Sequence, residues 1–276
     1  MLAILLITLQ VAVEVAIGGF LALFITDLTR QVTRGFLSST GVALLLIGAM
    51  GVGGEYTLPD PTHFTDHRLD TAWLVPSLRL TTLFMALFLV YLVAVYLRPP
   101  VLHVAVGFLT AAAGVCALVT TAFAFPSPTW GAYGSMVSFL VSALTIGTVT
   151  TAMLLGHWYL VVPNLSTRPL MALLVILGMG FLVQAGLAAA AVFLLAGHGT
   201  QVATRHDLVS GGFSLSFWLH VGAGIAAPLL VTALAAQSTR TRSLMSATGL
   251  LYVAVLFTLI GQVTGKIIFF NGNLPL

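Results

Sequence analysis

The chain has 276 residues, of which 59% are hydrophobic and only 6% are Asp, Glu, Lys or Arg. A soluble domain carries about 25% charged residues, so charges this sparse could not cover a surface in contact with water. Composition therefore excludes a soluble enzyme, a nucleic-acid-binding protein and a disordered chain, and it predicts a protein whose main solvent is the lipid bilayer. The formal net charge is +3, and the single cysteine, Cys116, excludes an intrachain disulfide and an iron–sulfur cluster held by this chain alone.

Eight segments are long and apolar enough to cross a bilayer as helices, which takes about 20 residues each. Charged, Pro-rich or Gly-rich breaks separate them. Their predicted bounds are about 2–26, 37–55, 80–97, 101–124, 135–162, 170–196, 213–236 and 244–270. The predicted fold is all-α: one integral membrane domain, residues 1–276, with eight transmembrane helices that would allow two four-helix halves of about 1–124 and 135–270.

Basic residues are divided unevenly between the two sets of loops. The connections after spans 1, 3, 5 and 7 hold six Arg and one acidic residue, whereas the others hold three Arg and four Asp. The positive-inside rule places the first set in the cytoplasm. Both termini and the loop of about residues 56–79, the largest extramembrane segment, are then predicted on the outer, periplasmic side.

A few polar residues lie inside the predicted spans, where such groups are costly and are candidates for function. Glu14 lies about halfway along span 1, one turn from Gln10, and the only lysine, Lys266, lies one turn from Gln262 in span 8. Glu55 ends span 2 on the outer side of the membrane. From the helical rise, Lys266 lies nearer the outer surface than Gln262 does, and level with Glu55. These residues predict a polar pocket in the outer half of the bundle. The structural alternative is that Lys266 extends to the interface and pairs with Glu55, while Glu14 is protonated or bonded to a neighbouring helix.

Three histidines also lie in the predicted spans. His103 and His157 fall near the cytoplasmic face, in spans 4 and 5, and His220 lies about two turns below the outer face in span 7. Two histidines at equal depth on adjacent helices can ligate a haem iron axially. A haem b cytochrome that uses His103 and His157 is therefore one candidate function. The alternative for His157 is an interfacial role, because Trp158 and Tyr159 follow it, as in an aromatic belt.

Several short motifs resemble those of a known group of membrane subunits. They are Gly18-Gly19-Phe20 in span 1, Pro128-Thr129-Trp130 before span 5, Phe217-Trp218 and Pro228-Leu229 in span 7, and Gly261-Gln262, Gly265-Lys266 and Phe269-Phe270 in span 8. With eight spans and both ends outside, the chain resembles membrane anchor subunits of the dimethyl sulfoxide reductase type, within the polysulfide-reductase-like anchor family. It departs from the family pattern at Gln262, where a glutamate is usual, and at Tyr56-Thr57-Leu58-Pro59, where such anchors often carry a histidine.

The resemblance implies a quinone-binding anchor subunit of a respiratory oxidoreductase in the cytoplasmic membrane of a bacterium or archaeon. Such a subunit binds menaquinone or ubiquinone and exchanges electrons with an iron–sulfur subunit on its outer face, which serves a catalytic subunit with molybdopterin or a similar group. A quinone headgroup needs hydrogen-bond donors and a group that exchanges protons. The candidate ligands of these types are Gln10, Glu14, Glu55, His220, Gln262 and Lys266.

Two further classes are less favoured. A retinal protein attaches its chromophore to a lysine in the last helix, but that lysine lies at mid-membrane beside a carboxylate, whereas Lys266 is predicted near the outer end. A transporter would show Gly- or Pro-broken spans at corresponding places in two halves, and Pro228 in span 7 has no clear counterpart.

Overall fold

A computed structural model describes residues 2–57, 69–97, 100–128, 130–195 and 203–276. Within these ranges the chain is helical, apart from connecting turns and one isolated β-bridge between Ser127 and Gly131. Eight of the helical segments are long and apolar enough to cross a membrane. The predicted all-α class and number of spans are therefore confirmed. Residues 58–68, which belong to the predicted extramembrane loop of about residues 56–79, lie outside the described residues.

The described residues form ten α-helices and two π-helical stretches, and all but the short α7 belong to the eight spans. The helices are α1 (Leu2–Leu28), α2 (Arg34–Thr57), α3 (Leu74–Leu97), α4 (Pro100–Ala124), α5 (Gly131–Val161), α6 (Arg168–Ala190), α7 (Arg205–Val209), α8 (Ser214–Leu219), α9 (Ala227–Arg240) and α10 (Leu244–Gly272). A π-helical turn, Ala191–Leu195, continues α6, and another, His220–Ala226, joins α8 to α9 so that the seventh span is continuous. The predicted bounds of most spans agree with these helices within a few residues.

The third span begins earlier than the sequence predicts. A 3₁₀ turn at Thr71–Trp73 leads directly into α3 at Leu74, so Arg79, expected in the preceding loop, lies in the second turn of the helix and is exposed. Pro76 is tolerated there because the N–H groups of a first turn have no helical partner. An arginine near a helix end can extend its guanidinium to the membrane surface, so the positive charge did not mark the end of the span.

Helix α5 is the centre of the bundle and packs against α1, α4, α6 and α10. Its buried hydroxyls recur every three or four residues, at Ser135, Ser138, Ser142, Thr145 and Thr148, which places them along one stripe of the helix. Ser135 and Ser138 donate hydrogen bonds to backbone carbonyls of neighbouring segments at 2.7 and 2.6 Å. The stripe therefore links the central helix to the chain around it at successive depths.

Helices α1 and α5 cross with their backbones in contact. A Cβ atom added at Gly18 would lie 1.7 Å from the carbonyl oxygen of Ala143, and one added at Gly147 would lie 2.0 Å from the backbone nitrogen of Gly19. Thr151 Oγ1 also donates a hydrogen bond to the Gly19 carbonyl at 3.1 Å. Such close approach requires small residues on both helices, so the glycines determine how near the side chains on α1 lie to those on α5.

The alternation of helix direction divides the helix ends into two groups. One, here called the arginine-rich end, holds Arg30, Arg34, Arg168, Arg240 and Arg242. The helix ends on the other side of the bundle, where α1 begins and α10 ends, are here called the opposite end. The positive-inside rule predicts that the arginine-rich end faces the cytoplasm.

Cysteine labelling tests this orientation, with Cys116→Ala as background because Cys116 is exposed on α4. Ser210 and Ser243 are exposed on turns at the opposite end and the arginine-rich end, respectively. We expect a membrane-impermeant maleimide to label the Ser210→Cys variant in intact cells and the Ser243→Cys variant only after permeabilisation. Labelling of the Ser243→Cys variant in intact cells would show that the orientation is reversed.

Candidate functional site

Glu14 of α1 and Lys266 of α10 form an ion pair inside the bundle. Lys266 Nζ lies 2.6 Å from Glu14 Oε1, and the two side chains are 4% and 0% exposed, respectively. The ammonium also lies 3.8 Å from the ring centroid of Phe139, where a cation is attracted to the aromatic face. Burying two charges is expensive, and their attraction offsets that cost only when the geometry is close and other hydrogen bonds are satisfied. This pair is therefore the strongest candidate for a functional centre.

The ion pair lies deeper than the position of Lys266 in α10 suggested. Helical side chains point toward the N-terminus of their own helix. In α10 that direction leads away from the opposite end, so the long lysine side chain reaches inward to Glu14. Glu55, which the sequence placed level with Lys266, is half-buried at the end of α2 and makes no ion pair with any described residue.

Ser142 of α5 connects the ion pair to Gln262. Its hydroxyl oxygen lies 2.5 Å from Glu14 Oε2 and 2.5 Å from Gln262 Oε1. A hydroxyl carries one proton and can donate to only one of these oxygens. The other contact is satisfied if the Gln262 amide is turned to present its nitrogen, or if Glu14 carries a proton. The contact therefore accommodates two proton arrangements, which is the property of a group that exchanges protons.

The hydrogen bonds continue from Gln262 to α6. Gln262 Nε2 and Gln184 Nε2 both donate to Thr145 Oγ1, at 3.2 and 3.1 Å. Together Lys266, Glu14, Ser142, Gln262, Thr145 and Gln184 form a chain of side chains, here called the buried polar chain. Ser142, Thr145 and Gln184 were not among the predicted site residues, although the hydroxyl spacing along α5 was a signal for the first two.

The buried polar chain lies nearer the opposite end than the arginine-rich end, since Ser142 is in the first half of α5 and Gln262 in the second half of α10. Residues after α10 cover it on that side. Asn273 adopts a left-handed conformation (φ 60°) that ends the helix, and Leu274 is fully buried. Ser138, one turn from Ser142, donates to the Leu276 carbonyl at 2.6 Å. The cluster is thus enclosed by protein rather than open to water.

Outside the ion pair, two predicted site residues carry buried nitrogen atoms without hydrogen-bond partners among the described residues: Gln10 Nε2 and His220 Nε2. Gln10 is 4% exposed, one turn before Glu14. The other imidazole nitrogen, His220 Nδ1, lies 2.8 Å from the Gly261 carbonyl of α10. Most buried polar atoms in proteins are paired, so unpaired ones mark places where water or a ligand is expected.

The glycine contacts of α10 explain the position of His220. A Cβ atom added at Gly224 would lie 2.4 Å from Gly261 Cα, and one added at Gly265 would lie 2.8 Å from His220 Cε1. The π-helical turn and α10 therefore approach closely, and the imidazole packs against the backbone of the helix that carries Lys266.

The two histidines considered as haem ligands have different partners. His103 Nε2 lies 3.4 Å from Asp27 Oδ2, which also accepts a hydrogen bond from the Tyr91 hydroxyl at 2.8 Å. His157 is exposed on α5, with Nδ1 3.5 Å from the Tyr252 hydroxyl of α10. Both imidazoles are near the arginine-rich end, as the sequence predicted, and the buried polar chain lies in the other half of the bundle.

Of the six predicted ligands, the structure pairs Glu14 with Lys266 and links Gln262 to them through Ser142. Gln10 and His220 lie on the adjoining turns, and Glu55 lies at a helix end. The alternative in which Lys266 pairs with Glu55 is wrong, because the carboxylate partner of Lys266 is Glu14. The fold and the site define the class: a polytopic helical membrane protein with a charged, enclosed cluster.

Comparison with known proteins finds no matching protein-family model, no similar curated protein and no similar solved structure.

Proposed function

We propose that this chain is a quinone-binding membrane subunit of a respiratory oxidoreductase, with the headgroup bound at the buried polar chain. The observation that carries the proposal is the Glu14–Lys266 pair joined through Ser142 to Gln262. It combines a charged donor, a proton acceptor and an amide in one enclosed cluster. The iron–sulfur subunit and its molybdopterin-type catalytic partner belong to the same proposal, docked at the opposite end, which lies nearer the cluster.

The unused hydrogen-bonding capacity of the cluster fits a quinone headgroup. A bound quinone supplies carbonyl oxygens that accept hydrogen bonds and that take up protons when the ring is reduced. Lys266 has three ammonium protons, of which the ion pair with Glu14 engages one. Gln10 Nε2 has no partner among the described residues. These two groups would orient the carbonyl from α10 and α1, and hydrogen bonds to charged donors are stronger than neutral ones.

Glu14 would hold the proton that is exchanged. Its Oε1 faces Lys266 and its Oε2 faces Ser142. When Oε2 carries the proton it would donate to the serine hydroxyl, whose own proton then points to Gln262 Oε1; when Glu14 is ionised, the hydroxyl would donate to Oε2 instead. The Gln262 amide then turns to keep every donor opposite an acceptor. In an enclosed cluster these dipoles act with little screening by water.

Gln10→Leu tests the proposal without disturbing the ion pair. Because Gln10 Nε2 makes no hydrogen bond with described residues, its loss should leave the midpoint of thermal unfolding unchanged or slightly raised. If the amide binds a quinone carbonyl, affinity for a short-chain ubiquinone or menaquinone analogue should fall roughly tenfold. Affinity is measured by titrating the purified protein in detergent. Gln237→Leu, on α9 near the arginine-rich end, is the matched control and should bind like the unmodified protein.

Equal quinone affinity of the Gln10→Leu variant and the unmodified protein would contradict the assignment of Gln10. If the unmodified protein bound neither the ubiquinone nor the menaquinone analogue, the proposed quinone-binding function would be wrong. A pyridine haemochrome assay on the same preparation covers the alternative: about one haem per chain would favour a haem b cytochrome.

A further inference from the structure

A cleft at the arginine-rich end lies apart from the buried polar chain. It has a volume of about 410 Å³ and is formed where α1 ends, α2 begins, α3 ends and α4 begins. Its polar lining consists of Asp27, Arg30, Arg34 and His103, and its apolar lining includes Leu37 and Val95. Because four membrane helices end here, the cleft lies at the depth where lipid headgroups meet the protein.

The cleft has an excess of positive charge. The one carboxylate in its lining, Asp27, is engaged by the Tyr91 hydroxyl at 2.8 Å and by His103 Nε2 at 3.4 Å. The exposed guanidinium groups of Arg30 and Arg34 form no ion pair with any described residue. No described residue engages their hydrogen-bond donors, which can therefore bind an anion, and the planar guanidinium is suited to a phosphate group.

A second cavity continues from the first. It has a volume of about 310 Å³ and is lined by Arg34, Gly35, Ser38, Val95 and Tyr96, so Arg34 and Val95 belong to both. It lies between the first turns of α2 and the last turn of α3, and the Tyr96 side chain is 72% exposed on the outside of the bundle. The charged cleft thus opens sideways into a partly apolar groove that faces the surrounding lipid.

We propose that the two cavities bind one phospholipid with an anionic headgroup. Its phosphate lies between Arg30 and Arg34, and the start of one acyl chain follows the groove beside Ser38 and Tyr96. A lipid rather than a free phosphate is favoured because the groove extends from the cleft toward the bilayer. An anionic headgroup is favoured over a zwitterionic one because a choline group would bring a further positive charge close to the two guanidiniums. The inference does not depend on the quinone proposal.

The probe is phosphatidylglycerol added to the purified protein in neutral detergent, with lipid adducts counted by native mass spectrometry and the midpoint of thermal unfolding measured in parallel. We expect one retained phosphatidylglycerol per chain and a raised midpoint, with little effect of phosphatidylcholine at the same concentration. Arg30→Gln/Arg34→Gln should weaken phosphatidylglycerol binding roughly tenfold or more, since each basic group near a lipid surface contributes about 1 kcal/mol. Arg168→Gln, which changes an arginine at the same end but outside both cavities, should not.

Ser38→Phe separates the lipid from a free anion, because it fills the groove and leaves both arginines in place. It should reduce phosphatidylglycerol binding. Glycerol phosphate, the soluble headgroup, should raise the unfolding midpoint only slightly, and by the same amount in the Ser38→Phe variant and the unmodified protein. Inorganic phosphate that stabilises the protein as well as phosphatidylglycerol would overturn the lipid assignment. If Arg168→Gln weakened phosphatidylglycerol binding as much as the double variant does, the attraction would be an unspecific surface effect and the proposed site would be wrong. Unchanged phosphatidylglycerol binding in the Arg30→Gln/Arg34→Gln variant would also contradict the site.

Discussion

Replacing Lys266 by Met, or Glu14 by Gln, is expected to destabilise the folded protein by about 3–5 kcal/mol, because each change leaves one buried charge without its partner. The two charged groups lie 2.6 Å apart and are almost wholly enclosed. Replacing both together removes both charges, keeps the approximate volume and leaves an uncharged contact beside Phe139. The double variant should therefore be markedly more stable than either single one.

A double-mutant cycle measures this effect through thermal unfolding of the four proteins in detergent. Non-additivity of about 2 kcal/mol or more would confirm that the pair acts as a unit. The double variant also separates stability from function: it should be folded and yet fail to bind a quinone analogue. Additive effects of the two substitutions would show that the charges do not interact, and a folded double variant with undiminished quinone binding would remove the pair from the proposed site.

Gly18→Ala is expected to cost about 3 kcal/mol or more, although it adds a single methyl group, because the crossing of α1 and α5 leaves no room for it. The added carbon would lie 1.7 Å from the Ala143 carbonyl oxygen. The backbones must then move apart by more than about 1 Å to restore a normal contact. Glu14 lies one turn from Gly18, and Ser142 adjoins Ala143, so this separation also breaks the 2.5 Å contact between the carboxylate and the hydroxyl.

Gly178→Ala on α6 is the matched control, since a Cβ atom there meets nothing within 4 Å. Alanine has the higher helix propensity, so this variant should be as stable as the unmodified protein or more so. Yield of monodisperse protein and the unfolding midpoint are the measurements. A Gly18→Ala variant as stable as Gly178→Ala would mean that the two helices do not cross in contact at this point.

The number of spans and most of their bounds could be predicted because the bilayer sets the length of an apolar helix and excludes charge from its centre. The exception, α3, shows the limit of that rule. Arg79 was interpreted as part of a loop, but a long side chain at a helix end can reach the surface while its backbone remains helical. The π-helical turn at His220–Ala226 was also not predicted from the sequence, which indicated one continuous helix there.

The charged residues of the candidate site could be predicted from the sequence, because burying a charge is costly, whereas its uncharged polar residues could not. Glu14 and Lys266 are conspicuous because charges are rare in an apolar span. Their pairing with each other was not foreseen, since it depends on the side-chain direction in α10 and on the contact between α1 and α5. Ser142 and Thr145 escaped notice because a hydroxyl in a membrane helix can satisfy itself on its own backbone, as the Thr145 bond to the Val141 carbonyl at 2.9 Å illustrates.

The sequence by itself determined that this protein is an eight-span helical membrane protein, because hydrophobic length and scarcity of charge are local properties that each segment carries alone. It also determined which few groups are expensive to bury. Only the tertiary structure decided which of those groups meet. Glu14, Ser142 and Lys266 lie on three helices and more than a hundred residues apart along the chain, and they meet because glycine backbones allow α1 and α5 to touch while α10 directs its lysine inward. Such contacts depend on helix spacing and rotation, which are properties of the whole bundle and of no single span.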